Sequence, residues 1–220
     1  MRDYSFLLLH PYQVDTAYLV AGPLKLATKY QVDDLRARII TQLELDWPTT
    51  LQGWEKREDY VAEMQKNRSG DDSASDIRAH PEPVIRLALE CDIPSVLPVA
   101  FYDLSKIRAD AGVSDLVTRE DLVTLMRYKE GLKNFLTVFC FRRLFNLCDR
   151  CDCDIVKYWA NFTLMMWIRI DPLSHFRSEV TAFREGKHAD MFCQDCTKDV
   201  EEVIKEGYVD LFPTITSLFA

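Results

Sequence analysis

The stretch from Leu24 to Trp54, LKLATKYQVDDLRARIITQLELDWPTTLQGW, decides the fold. Its first apolar residues fall near helical spacing: Leu24, Leu26, Ala27 and Tyr30. A second stripe follows at i, i+3, i+7, i+8 and i+11: Val32, Leu35, Ile39, Ile40 and Leu43. The pattern predicts two short amphipathic helices that meet near Gln31. Gly22 and Pro23 predict a kink or a fresh helix start at the proline, because proline fits the first turn of a helix and not its interior.

Charge and composition narrow the class of protein. The 220 residues carry a net charge of −8, which argues against the basic face that nucleic-acid binding needs. Two basic pairs, Lys56-Arg57 and Arg142-Arg143, are interpreted as solvated helix faces. No apolar run reaches the ~18–20 residues of a membrane helix. Seven cysteines without a secretion signal indicate a reducing compartment, so we expect an intracellular protein, cytoplasmic or nuclear.

Low glycine content and long apolar-periodic stretches predict a mostly α-helical fold in three segments. Residues 1–45 hold the helices around Leu24, and 46–79 form a connector and a flexible loop. Residues 80–220 form a helical region that contains the cysteine pairs. Within it we expect a hairpin over 80–107 in which Pro98 bends the second helix, and a long helix from Arg119 to about Leu147 with Thr118 as its N-cap.

Three stretches resemble fungal BTB (POZ) proteins of the basidiomycete type. Leu24–Trp54 resembles the last two BTB helices, while LALECDIPSVLPVAFYDLSKI (87–107) and the tail YVDLFPTITSLFA (208–220) resemble the helical part that follows. The resemblance implies an incomplete BTB domain, because only thirteen residues precede Val14 where strands and helices are usual. It also implies a non-enzymatic adaptor or scaffold that binds protein partners or itself as a homodimer. Helices left exposed by an incomplete domain would present an apolar patch that recruits a partner.

The cysteines form the one candidate site for chemistry. Cys148 and Cys151 make one C-x2-C turn, and Cys193 and Cys196 make another. Two such turns could supply the four ligands of a structural zinc, with His188 as a substitute ligand. The alternatives are clustered structural thiols and, less favoured, a redox pair. The corresponding alternative function is a small zinc-stabilised helical module with a regulatory or transcription-related role.

Motifs of the common enzyme classes do not occur in the sequence. We find no G-x-G-x-x-G, G-K-[ST], G-x-S-x-G or H-E-x-x-H. His175 is interpreted as a core histidine, and the segment around Trp159, Phe162 and Met166 as core rather than a binding groove. We therefore expect no catalysis and no cofactor other than the candidate zinc, although a hydrolase or redox enzyme of unrecognised type stays open.

Overall fold

The computed structural model describes residues 10–67, 78–107, 117–144, 155–168 and 171–218. The mostly α-helical prediction is confirmed, since every regular element in those ranges is a helix. The α-helices are α1 (Thr16–Lys29), α2 (Asp33–Asp46), α3 (Leu51–Asn67), α4 (Pro81–Cys91), α5 (Leu97–Ser105), α6 (Arg119–Leu144), α7 (Ile155–Ile168), α8 (Pro172–Arg184) and α9 (Gln194–Ser217), and a 3₁₀ turn spans Pro94–Val96. They form two compact units, which divide within α6 between Leu125 and Met126.

In the first unit, α1 packs against α2 and α4, and α4 packs against α5. The core of this unit includes the fully buried side chains of Leu24, Ile39, Leu43, Trp47 and Trp54. The two buried tryptophans therefore anchor the segment after α2. That segment is more helical than expected, because α3 extends from Leu51 to Asn67. The loop predicted to follow falls largely on residues 68–77, outside the described residues.

The structure corrects predictions at two prolines. Pro23 does not start a new helix, because α1 continues through it, and the kink that was the alternative at Pro23 stays a prediction. The missing N–H of Pro23 releases the carbonyl of Leu19, and Leu19 lies on the exposed side, where water can satisfy that group. Pro98 lies in the first turn of α5, so it begins the helix instead of bending it.

Side-chain caps fix the starts of two helices. The hydroxyl of Thr118 accepts a hydrogen bond from the N–H of Asp121 at 3.2 Å, and the Asp121 carboxylate accepts one from the N–H of Thr118 at 2.8 Å. This reciprocal pair confirms Thr118 as the cap of α6. Asp171 caps α8 in the same way by accepting from the N–H of Ser174 at 3.1 Å.

The second unit is built around aromatic rings. Phe139 of α6 packs edge-on against Trp159 of α7 and Phe176 of α8, with ring centroids 6.3 and 5.4 Å apart. Trp159, Phe162 and Met166 are buried, so the segment that contains them is core, as predicted. His175 is also buried and stacks on Phe162, which confirms its interpretation as a core histidine.

Candidate functional site

The outward side of α1 carries a group of exposed apolar side chains. Its large side chains are mostly exposed to solvent: Tyr18 by 58%, Leu19 by 46%, Leu26 by 57% and Tyr30 by 66%. Tyr18, Gly22, Leu26 and Tyr30 follow one another at intervals of four, so they form one ridge along the helix. We call these five residues, Tyr18, Leu19, Gly22, Leu26 and Tyr30, the α1 face. Several large apolar side chains exposed on one side of a helix indicate an interaction site.

The opposite side of α1 holds the helix in place. Ala17, Val20, Leu24 and Ala27 are buried there. Lys25 pairs with Glu90 of α4 at 2.6 Å, which adds a polar contact along the edge. The α1 face is therefore presented by a helix whose rotation is fixed by packing.

The end of α1 is fixed by its backbone. Gln31 adopts a left-handed conformation with φ 52°, and the N–H of Val32 bonds to the carbonyl of Ala27 at 2.9 Å. This six-to-one hydrogen bond is the Schellman arrangement that ends many helices. It turns the chain tightly into α2 without a glycine, at the position near Gln31 where the sequence predicted that the two helices meet.

A buried group of charges joins other helices of the first unit. Arg57 of α3 donates to both carboxylate oxygens of Asp103 in α5, at 2.7 and 3.1 Å, and to the carbonyl of Asp46 at 3.0 Å. Glu58 makes a two-bonded pair with Arg78, at 2.8 and 2.6 Å. The interpretation of Arg57 as part of a solvated face was wrong, because it is 6% exposed and pairs with a residue far away in sequence.

The two aspartates of this group, Asp103 and Asp46, have pKa values that are shifted in opposite directions. Burial alone would raise the pKa of Asp103, but Arg57 and Lys106 outweigh it and hold the pKa well below its usual range. Asp46 is different because burial dominates and raises its pKa to about 6, against the lowering effects of a Thr16 hydrogen bond, the Tyr12 N–H and Arg57. Asp103 is therefore a permanent anion, whereas Asp46 titrates in a mildly acidic range.

Of the four cysteines predicted as zinc ligands, the structure describes two. Cys193 is the N-cap residue of α9 and is half-buried, and Cys196 is buried in the first turn of the same helix. Cys148 and Cys151 lie outside the described residues. Within the described ranges, no three His, Cys, Asp or Glu side chains are grouped so that they could hold a metal ion. The zinc site stays a prediction.

A cavity of about 370 Å³ opens beside Cys193 in the second unit. Two aromatic rings and a histidine form its apolar wall, and polar side chains of α9 form its rim. Its lining residues are Phe183, Gly186, His188, Ala189, Phe192, Gln194, Thr197 and Lys198. Gly186 has φ 70°, so a residue without Cβ suits the turn at its edge.

His188, the substitute zinc ligand of the sequence analysis, belongs to this wall. Its Nε2 lies 3.2 Å from Glu179 Oε2, and the Tyr158 hydroxyl donates to the same oxygen at 2.9 Å. Burial and the adjacent Glu179 raise the pKa of Tyr158, so the phenol stays protonated. The imidazole also packs on Phe183 with ring centroids 4.5 Å apart. These contacts fix the turn between α8 and α9.

The sequence analysis missed the outward direction of Leu26 and Tyr30. It placed them in one stripe with Leu24 and Ala27, which are buried. A signal was present, since Tyr18 and Leu19 add apolar residues on another side, and a helix that is apolar on several sides cannot bury them all against two neighbours. It also missed Arg57 and Asp103, which only the fold brings together.

Comparison of the chain with protein-family models, with curated proteins and with solved structures found no match. In the described part of the chain, no helix combines the length and the apolar character that crossing a membrane requires.

Proposed function

We propose that this chain is a non-enzymatic protein–protein interaction module, an adaptor or scaffold of the BTB type that Leu24–Trp54 resembles. The observation that carries the proposal is the exposed apolar α1 face on a helix whose other side is buried. The cysteine content favours a reducing, intracellular location, cytoplasmic or nuclear. Cys91 and Cys140 agree with that location, since both are buried free thiols.

The shape of the surface favours a protein as the bound partner. Small molecules bind in concave pockets, where most of their surface is enclosed. A helix face is convex and linear, and it suits an apolar helix or groove of another protein, with contacts at i, i+4 and i+8. Tyr18, Leu26 and Tyr30 have this spacing. Tyrosine is also enriched in protein interfaces, because its ring packs while its hydroxyl stays hydrated.

A structural role for the buried charges supports a module without catalysis. Arg57 and Asp103 use their hydrogen bonds to join α3 to α5 and to the end of α2. Glu58 is enclosed by Arg78 and Arg57. The carboxylates of Asp103 and Glu58 both pair with arginines of the protein itself, so they help to hold together the helices of the first unit.

Site-specific photo-crosslinking tests the proposal. A photoreactive phenylalanine analogue replaces Leu26 in the full chain, and in a matched control it replaces Val209, which is equally exposed on α9 at 58%. Cells that express the chain are irradiated, and the cross-linked peptides are mapped by mass spectrometry.

We expect position 26 to label a defined apolar helix or groove of a protein, and position 209 not to label it. A Tyr18→Glu change in the position-26 chain should abolish the adduct. Equal labelling from both positions, or an adduct that survives Tyr18→Glu, would contradict the proposal.

A further inference from the structure

Two pairs of exposed residues on the side of the α1 face lie at equal distances before and after Gly22. Tyr18 lies four residues before this glycine and Leu26 lies four after it. Asp15 lies seven residues before it and Lys29 seven after it. All four side chains are exposed, and on a helical wheel they fall on the same side as Gly22. Residues that match across a centre in this way are what a two-fold symmetric helix pair requires.

Gly22 gives the centre of this surface room for a second backbone. A Cβ built at Gly22 would meet nothing within 4 Å, so the space above it is open. Tyr18, Gly22, Leu26 and Tyr30 form an i±4 ridge, and two such ridges pack with the helices crossing at about 50°. A glycine at the crossing point lets the two helices approach closely, while Tyr18 and Leu26 close the contact on either side.

The charges at the two ends are complementary. Asp15 lies directly before the first turn of α1, and Lys29 is the last residue of the helix. Among the described residues neither forms an ion pair, and the Lys29 ammonium lies over the ring of Tyr30 at 5.5 Å. In an antiparallel pair centred on Gly22, Asp15 of each copy lies opposite Lys29 of the other. The same operation places Tyr18 of each copy opposite Leu26 of the other.

We infer that the occupant of the α1 face is a second copy of this chain, bound as an antiparallel α1–α1 pair with its two-fold axis at Gly22. The inference rests on the proposed function and names the partner of the same surface. A partner of unrelated sequence would not require apolar and opposite-charge residues to match across one glycine. Self-pairing does require it, because a two-fold pair needs a surface that is complementary to itself, with Tyr18 meeting Leu26 and Asp15 meeting Lys29 on both sides of the axis.

The first test is the mass of the full chain in solution. Sedimentation equilibrium over a range of concentrations should show a reversible shift from 25.6 kDa to twice that mass. Leu26→Glu should raise the dimer dissociation constant by at least about tenfold, because it buries an unpaired charge at the contact. The matched control Val209→Glu, on a different exposed helix position, should leave it unchanged.

The second test uses charge reversal and does not depend on one variant. Asp15→Lys alone and Lys29→Asp alone each place like charges opposite one another, so each should weaken self-association. A mixture of the two variants restores both opposite-charge contacts and should form a heterodimer, detected by native mass spectrometry. The double variant D15K/K29D should again form homodimers. Circular dichroism checks that every variant is folded, and high salt should weaken the heterodimer.

The results of these experiments distinguish a failure of the self-pairing inference from a failure of the proposed function. A chain that stays monomeric at every concentration overturns the second-copy inference, and so does a mixture that forms no heterodimer from folded variants. If position 26 then cross-links to another protein, the proposed function stands without the self-pairing. If it cross-links to nothing specific, both are wrong. A dimer that Leu26→Glu leaves intact also overturns the inference, because it uses another surface.

Discussion

Arg57 and Asp103 join α3 to α5 through two hydrogen bonds, of 2.7 and 3.1 Å, between residues 46 positions apart in sequence. The same guanidinium donates to the carbonyl of Asp46 at the end of α2. One buried cation therefore fixes three helices of the first unit. Its geometry uses the planar fork of arginine, which lysine could not reproduce.

Removing the carboxylate of this pair should destabilise the chain strongly. Asp103→Ala leaves Arg57 buried without its main counter-charge, and such changes cost about 3–5 kcal/mol. Urea unfolding followed by circular dichroism measures the loss. Breaking the exposed pair by Glu90→Gln is the control, and it should leave stability unchanged, since Lys25 and Glu90 are half-exposed.

A double variant tests whether the unpaired charge of Arg57, rather than lost packing, causes the destabilisation of Asp103→Ala. Arg57→Met combined with Asp103→Leu removes both charges and fills similar space, so it should recover much of the stability lost in Asp103→Ala. A double variant as unstable as the single one would contradict the view that an unpaired buried charge causes the loss.

Helical periodicity predicted α2 and the second half of α1 correctly because Leu24, Ala27, Ile39 and Leu43 repeat at the spacing of one buried face. Periodicity could not say that Leu26 and Tyr30 point outward, because α1 has apolar residues on more than one side. Its buried side is chosen by the packing of α2 and α4, which depends on residues far along the chain. The candidate surface therefore became visible only in the folded structure.

Two local rules also failed for physical reasons. A kink or a fresh helix start was expected at Pro23. No new helix starts there, because Val20, Leu24 and Ala27 bury a face that spans the proline, and that burial outweighs one lost hydrogen bond. Arg57 resembled a surface residue because its partner lies 46 positions away. Patterns within a short window predict elements well, and they do not reveal pairings between distant residues.

Asp46 should make stability depend on pH. Its pKa is raised from 3.8 to about 6 in the fold, so folding favours the protonated form. This contribution is complete below the unfolded value and is lost as pH rises through about 6. Asp46→Asn keeps an oxygen acceptor for the Tyr12 N–H and removes the charge. At about pH 8 the variant should be more stable than the wild type by up to about 3 kcal/mol.

The difference in unfolding free energy between Asp46→Asn and the wild type, measured as a function of pH, checks this prediction. Unfolding free energies of Asp46→Asn and wild type should converge near pH 4 and separate as pH rises toward 8. Asp33→Asn, at an exposed position in the first turn of α2, serves as the control for the same chemical change outside the core. If the Asp46→Asn difference does not change with pH, the buried carboxyl is not the source of the effect.

Gly207 should not accept even one methyl group. A Cβ there would overlap the rings of Phe139 and Phe176, with the Phe176 Cε1 atom at 2.8 Å. Those rings pack edge-on and cannot both move away, so Gly207→Ala should destabilise the chain by about 1–3 kcal/mol. Gly22→Ala is the matched control in another helix, and in open space it should stabilise by about 0.5–1 kcal/mol. Thermal unfolding at low protein concentration measures both, and equal effects would refute the steric explanation.

The end of α1 offers a gain in stability at Gln31. A left-handed backbone costs a residue with a Cβ roughly 1–2 kcal/mol, and Gln31 has φ 52°. Gly186 occupies the same Schellman position after α8, where the N–H of Lys187 bonds to the carbonyl of Ala182 at 3.0 Å. Gln31→Gly should therefore stabilise the chain by about 0.5–1 kcal/mol, after the greater freedom of the unfolded chain is subtracted.

The reverse change provides the control for this prediction. Gly186→Ala places a Cβ at φ 70° and should lose stability by a comparable amount. Urea unfolding of both variants measures the two changes in the free energy of unfolding. A lower free energy of unfolding in Gln31→Gly would contradict the prediction, because it would show that contacts of the Gln31 side chain outweigh its backbone strain. Lys29 and Tyr30 directly precede this turn, so a more stable C-terminal end of α1 in Gln31→Gly should also lower the dissociation constant of the α1–α1 pair. Sedimentation equilibrium of the Gln31→Gly variant measures that second effect.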